Sequence, residues 1–341
     1  MSRRNVSLAT IAAALVALLI FVPDVILVVF AGLLMAAFIH GPGHRIAAWL
    51  NIQHGFGIAI FLLLLTALFV VVGMVAAAGI AEQFDELLSQ LPQALESLRE
   101  RLADYAWAER AWQRFSPESL VSDENRQMAS NAVFSTFGAF GNAVIILFIG
   151  LYVAIDPALY RRGVVLLLAP SIRGRADDVL RQCAATLKNW LGAQLIAMAV
   201  VGTLTAVGLF IIGVPLALIL GLIAGLLAFI PNIGPIIAII PGLLLALSGG
   251  LSMVLWVAAV YLAVQALESY VITPVIQQER VSIPPALTLS AQLLFGVLFG
   301  LLGLALAMPV VAVAMTLARE VYIHDYLEKK ASPGGGALIT D

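Results

Sequence analysis

Charge is what this sequence lacks most. Only 11% of its 341 residues are Asp, Glu, Lys or Arg, while 62% are hydrophobic. A soluble globular chain carries about 25% charged and roughly 45–50% apolar residues, so there are too few charges here to cover a folded surface in water. Between Asn189 and Gln278, a run of 90 residues, Glu268 is the only charged side chain. This shortage excludes a soluble enzyme, a disordered scaffold and a nucleic-acid-binding module. The net charge of −2 offers no basic field for nucleic acid either. Cys183 is the single cysteine, which rules out an intrachain disulfide and leaves no thiolate metal cluster. Motifs of membrane enzymes are missing too: there is no HExxH, no Gly-x-Ser-x-Gly, no pair of intramembrane aspartates and no GxxxxGK[ST] phosphate loop. No cofactor, metal or enzymatic role is therefore expected.

What the sequence has instead is long apolar runs, and an all-α polytopic membrane bundle follows from them. Val6–Val22 and Val25–Ile39 are separated only by Pro23-Asp24 and read as a paired hairpin. The start Ser2-Arg3-Arg4 resembles a leader, but no small-x-small cleavage site follows. Gly57–Ile80, Ala132–Ile155, Leu191–Ile212 and Ser252–Ile272 are further spans, the last with 21 residues or roughly 31 Å at 1.5 Å per residue. Two stretches do not suit single helices. Val214–Ser248 is interrupted by Pro231-Asn232-Ile233-Gly234-Pro235, and two prolines and a glycine in five residues end a helix. Ala286–Ala318 would be roughly 50 Å as one helix, longer than a hydrocarbon core of about 30 Å. It offers Gly296, Gly300, Gly303 and Pro309 as places to turn. Both stretches are expected to be broken or re-entrant helices, which membranes tolerate where irregular backbone is buried in protein or lines a cavity. The total is about eight spans.

The chain divides accordingly into three N-terminal spans (1–80), an extracytoplasmic amphipathic segment (81–131), a transport core (132–330) with broken helices at 214–248 and 286–318, and a disordered tail (331–341). In Ala81–Asn131, Phe84, Leu87, Leu88 and Leu91 recur at helical spacing. Its ten acidic against five basic residues suit a solvated cap or a subunit contact. With the N-terminus inside, thirteen Lys and Arg fall on the cytoplasmic side and five outside, so both termini are expected in the cytoplasm. Trp107, Trp112 and Trp190 sit where interfacial aromatics usually do.

Glu268 is the sharpest chemical signal. A carboxylate near mid-bilayer costs about 2.5–3.5 kcal/mol on insertion scales and is usually paired or functional. Tyr261, Gln265 and Glu268 are spaced i, i+4, i+7, so one polar stripe runs along an otherwise apolar helix. The stripe is expected to face a substrate or proton pathway. An alternative is that Glu268, four residues from the end of its span, simply reaches interfacial water. The Pro231–Pro235 break is the second signal: ends of half-helices expose backbone groups that bind ions or hydroxyl-rich solutes, and Asn232 adds an amide. A plain structural kink is the alternative there. Gln194, Asn142 and Gln292 fit interhelical hydrogen bonds. His40-Gly41-Pro42-Gly43-His44 has the i, i+4 spacing of a metal pair, but Gly-Pro-Gly is expected to break the helix such a pair requires, so it reads as a loop.

These residues resemble a known family. Gly213-Val-Pro-Leu-Ala-Leu, Phe229-Ile-Pro-Asn-Ile-Gly-Pro235, Gln265-Ala-Leu-Glu-Ser269 followed by Pro274, Gly300-Leu-Leu-Gly303 and Ala307-Met-Pro309 come in the order and spacing of the autoinducer-2 exporter family of bacterial inner-membrane permeases. The likeness is specific over about Asn189–Val321 and looser over Arg3–Asp156. It implies a carrier of about eight spans in the bacterial inner membrane, assembled as a homo-oligomer, a pentamer in the family's pattern. Some members export the quorum-sensing signal autoinducer-2, and others look like sodium- or lithium-proton antiporters. Pro231, Gly234, Pro235, Glu268, Pro274, Gly303 and Pro309 fall on matching motif positions. Asn232 departs from the tyrosine often found there, which affects any aromatic contact to substrate.

The expected function is a secondary carrier that exports a small polar solute, with autoinducer-2 as candidate cargo and protons as candidate drive. A sodium-proton antiporter is the alternative within transport, although a single acid in the spans is sparse for exchanging a bare cation. A membrane scaffold acting through Ala81–Asn131 is the alternative of another class. The lipid bilayer, a polar solute with H+ or Na+, and further copies of the chain are the expected partners.

Overall fold

The computed structural model describes residues 22–68, 70–71, 89, 96, 141–272 and 284–328. Among these, every regular element is helical, as the apolar runs demand. Residues 6–21 of the first expected span, the end of the third, the 81–131 segment (Trp107 and Trp112 included) apart from Ser89 and Glu96, Pro274, Arg280 and the tail lie outside the described residues.

Helix α1 is Pro23–Leu50, opened by proline in its first turn, where the missing N–H costs nothing. It overturns the expectation of a loop at His40–His44. The helix continues through Pro42 and ends only at Asn51, in the left-handed conformation (φ 52°). Proline gives up a single helical hydrogen bond there, and packing against the next helix compensates. α2 is His54–Leu68. A Cβ on Gly43 would stand 2.7 Å from Ile58 Cγ1, and one on Gly57 only 2.3 Å from the Gly43 carbonyl. Gly43 and Gly57 serve close helix contact rather than chain reversal, a use small residues often have in membranes.

The chain forms two compact units. One comprises Met1–Leu62, Val144–Gly192 and Glu279–Asp341. Within it, α1 packs on α3 (Gly141–Ile155), with Ala36, Ile39, Ile58 and Ala154 at the core. α3 and α4 (Pro157–Leu166) meet at 91°. The bend follows from Asp156, which precedes a proline and so leaves the helical region, and whose carboxylate then accepts from Leu159 N at 3.0 Å to cap α4. α5 (Arg173–Ile211) begins in this unit with a charged stretch, well before the expected apolar span at Leu191. Its 39 residues, about 58 Å at 1.5 Å per residue, exceed a hydrocarbon core, so the charged turns up to Lys188 lie beyond the apolar length.

α9, Pro285–Leu317, belongs to this unit and is two arms, not one rod. Gly300 has φ 61° and ψ −143°, a conformation that only glycine adopts readily. A Cβ on Gly303 would stand 2.2 Å from the Phe295 carbonyl. Residues eight apart on a straight helix are about 12 Å apart, so the arms fold back at Gly300. The expectation of a break in 286–318 holds, and Gly300 rather than Pro309 is the pivot. Pro309 lies fully buried within the second arm.

The other unit comprises Leu63–Ala143 and Ala193–Gln278. It contains the rest of α5, then α6 (Ala217–Leu227), α7 (Ile233–Ala246) and α8 (Gly250–Leu267), the last continuing as a π-helical turn over Glu268–Ile272. Leu209, Leu220, Ala238, Val257 and Tyr261 form its core. α5 and α6 touch through Gly202, Gly221 and Gly225, where any Cβ would meet backbone within 3.1 Å. Among the described residues four helices are long and apolar enough to span a membrane, a fifth if the bent α3–α4 pair counts as one, with α2, α6 and α7 as shorter apolar helices.

Candidate functional site

The break expected at Pro231–Pro235 is present, displaced slightly toward the N-terminus. α6 ends at Leu227 and α7 starts at Ile233. Gly234 is the residue that permits it: a Cβ there would lie 1.8 Å from the Leu227 carbonyl. Asn232 sits at φ 65°, ψ −47°, and asparagine is enriched at positive φ among non-glycine residues. The Asn232 side chain makes no capping bond to α7.

Most backbone groups at the break are already satisfied. Ile230 N donates to Leu227 O, Ile233 N to Pro231 O at 2.8 Å and Gly234 N to Ile230 O at 2.9 Å, while Pro235 has no N–H. The half-helix N-terminus therefore presents fewer free donors than the sequence suggested. The Ala228 carbonyl is taken by Gln194 of α5, whose Nε2 donates at 2.7 Å from a buried position. Gln194 thus does make the interhelical bond expected of it, and the bond falls on the broken helix end.

α8 carries the polar stripe. Tyr261 is buried, its ring against Gly242 of α7, and its hydroxyl has no hydrogen-bond partner. Gln265 donates to Ser269 Oγ at 3.4 Å, and interacts with the Glu268 carboxyl. Glu268 is half-buried where α8 widens into the π turn, a local distortion frequent at functional sites. Its Oε2 is buried and unpartnered. Tyr261 is brought onto α7, whereas Gln265 and Glu268 keep their hydrogen bonding within the end of α8. Thr205 of α5 is a polar residue the sequence reading missed. It is 1% exposed with an unpartnered hydroxyl, and the signal available was a lone threonine in an apolar helix. Of the other motif positions, Gly303 and Pro309 shape α9 as described.

A buried carboxyl oxygen with no hydrogen-bond partner among the described residues, in a ninety-residue run with no other charge, is an arrangement found in carriers. The chain belongs to the AI-2E family of transporters: the family model, AI-2E family transporter, matches residues 8–323. Among curated proteins it is similar to YrrI of Bacillus subtilis, 32% identical over 171 residues, or 50% of this chain and 48% of that protein. The chain thus matches about half the length of YrrI. It is 24% identical to YueF of the same organism over 294 residues, 80% of this chain and 79% of YueF. It is 25% identical to YhhT of Escherichia coli K12 over 269 residues, 75% and 72% of the two chains. All three are described as candidate transport proteins. The chain is a multi-pass membrane protein of a transport family.

Proposed function

We propose that this protein is a secondary carrier of the bacterial inner membrane that exports a small polar solute, with autoinducer-2 as the candidate cargo and proton movement as the drive. The observation that carries the reading is the Glu268 carboxyl, the one charge in ninety residues, with a buried oxygen that has no hydrogen-bond partner among the described residues. Such an oxygen is completed by a proton, a cation or a hydroxyl of the solute, and a group that changes partners is what coupling requires. Tyr261 and Gln265 supply further polar groups on that face, and the Pro231–Pro235 break with Asn232 and Gly234 supplies the bend that a moving segment uses. Pro274, Gly303 and Pro309 shape the segments around it. A homo-oligomer, a pentamer in the family's pattern, and cytoplasmic termini complete the proposal.

Sodium-proton exchange at Glu268 is the second reading, favoured by the same oxygen, since a carboxylate suits a hard cation. Reconstitution in liposomes with an imposed pH or sodium gradient separates the two. Metabolite carriage predicts autoinducer-2 flux that follows the pH gradient. Proton movement with sodium and none with the metabolite would reverse the order.

A further inference from the structure

Three of the four histidines in the chain meet at one corner, and the transport reading uses none of them. Because α1 continues through Gly41-Pro42-Gly43, His40 and His44 lie one turn apart on one face, with rings stacked at 6.0 Å. His54, at the start of α2, stands edge-on to both, 4.6 Å from His40 and 5.3 Å from His44 between ring centroids. His40 Nδ1 and His54 Nε2 are 3.0 Å apart, and lie 3.0 and 3.3 Å from the Ala154 carbonyl near the end of α3. Three helices therefore converge on one triangle of polar atoms. Among the described residues no group of three His, Cys, Asp or Glu is arranged to hold a metal ion.

We propose that His40, His44 and His54 form a proton-binding site that fastens the α1–α2 corner to the end of α3 while neutral and releases it on taking up a proton. A carbonyl oxygen only accepts, and its two lone pairs can take one N–H from each neutral ring. In that state each imidazole carries its proton on the nitrogen facing Ala154. A further proton on His54 must go to Nδ1, which is buried with no hydrogen-bond partner. A cation there would be desolvated, unpaired and beside a second imidazole, a state that costs more than leaving the carbonyl.

The surrounding charges favour release. Lys188 of α5 lies alongside Gly41, its Cε 3.4 Å from where a Cβ would stand, and Arg45 follows His44 on α1. Asp156, two residues beyond Ala154, has its carboxylate engaged in capping α4. His54 precedes the apolar run that begins at Gly57. Burial first, and then His40 and His44, hold its imidazole below the ordinary value against the opposing pull of the Ala154 carbonyl. A lowered imidazole value means that the closed corner is fully stable above about pH 6.5 and loses stability as the pH falls from there toward the lowered value.

The test is amide hydrogen exchange of the full-length protein in lipid nanodiscs, near pH 7.5 and near pH 5.5, corrected for intrinsic rates. In the wild type, exchange across residues 40–58 should rise roughly five- to tenfold at the lower pH, the ratio that loss of one ordinary hydrogen bond corresponds to. Histidine-selective NMR on the same sample should show His54 gaining its proton below the ordinary imidazole value of about 6.5. Glutamine keeps a donor for Ala154 but does not titrate, so H54Q should stay protected at both pH values. H54F has no donor and should exchange fast at both. Wild-type exchange that does not change with pH, or H54Q opening with acid as the wild type does, would overturn the proposal.

Discussion

Two regions treat charge in opposite ways. In the unit containing α4 and the start of α5, charges are matched. Arg161 Nε bonds Asp177 Oδ1 at 2.6 Å, Arg181 bonds the other oxygen of the same carboxylate, and Arg175 Nη2 reaches Glu320 Oε2 at 2.7 Å and the Glu320 carbonyl at 3.0 Å. His324 approaches Glu320 at 3.6 Å, and Arg173 caps the carbonyls of Leu166 and Leu168, each at 3.0 Å. In the other unit Glu268, the one charge between Asn189 and Gln278, has a buried oxygen with no hydrogen-bond partner among the described residues. Evolution satisfies charges that hold a fold together, and an unsatisfied one in an apolar setting costs stability. The contrast separates an ionic framework from a lone carboxyl that the proposed function makes its coupling group.

Breaking the apolar unit should cost most. Gly234→Ala places a methyl against the Leu227 carbonyl, so the α6–α7 break must shift. A loss of about 3 kcal/mol or more is expected, measured as a large fall in Tm in detergent, and an unchanged Tm would show that the break is pliable. Gln194→Leu ranks next. It leaves the Ala228 carbonyl buried and unpaired, at a cost of about 1–3 kcal/mol, read by denaturation beside the wild type.

The ionic framework should prove cheap to damage. Arg175→Met should cost no more than about 1 kcal/mol, and less in high salt, as for partly exposed ion pairs. Its effect should depend on pH. Glu320, past the apolar length of α9, is held below the ordinary carboxylate range, chiefly by its bond to Arg175. That contribution is complete above the ordinary glutamate value of about 4.3 and is lost as the pH falls through the lowered one. Wild type and Arg175→Met should therefore converge in Tm as the medium is acidified below the ordinary glutamate value. A constant gap would assign the Arg175 effect to packing.

Much of this architecture was legible because it rests on one-dimensional signals. Apolar length and absent charge give helices, Pro231 and Pro235 mark a break, and an excess of length in 286–318 demands a turn. Glu268 stood out by isolation alone. What was not legible depended on which neighbour covers a residue. Gly41-Pro42-Gly43 reads as a breaker, yet α2 packs on Gly43 and the helix runs on. That is also why three histidines separated by a supposed loop come together. Gln194 and Ala228 are 34 residues apart, and nothing in their spacing reveals the bond. At the break, proline and glycine announced the kink but not that its N–H groups would be consumed within it.

The central claim is that Glu268 is the group whose partner changes during transport. The direct measurement is pH-gradient-driven uptake into liposomes containing wild type or Glu268→Gln, assayed with autoinducer-2 and with sodium at matched protein content and Tm. Glutamine keeps the size and a hydrogen-bonding group but cannot ionise. Gradient-driven flux should fall by on the order of a hundredfold, as for loss of an essential proton-transfer group, and the residual rate should no longer depend on pH. Glu268→Gln vesicles that match the wild type in both rate and pH dependence would contradict the account.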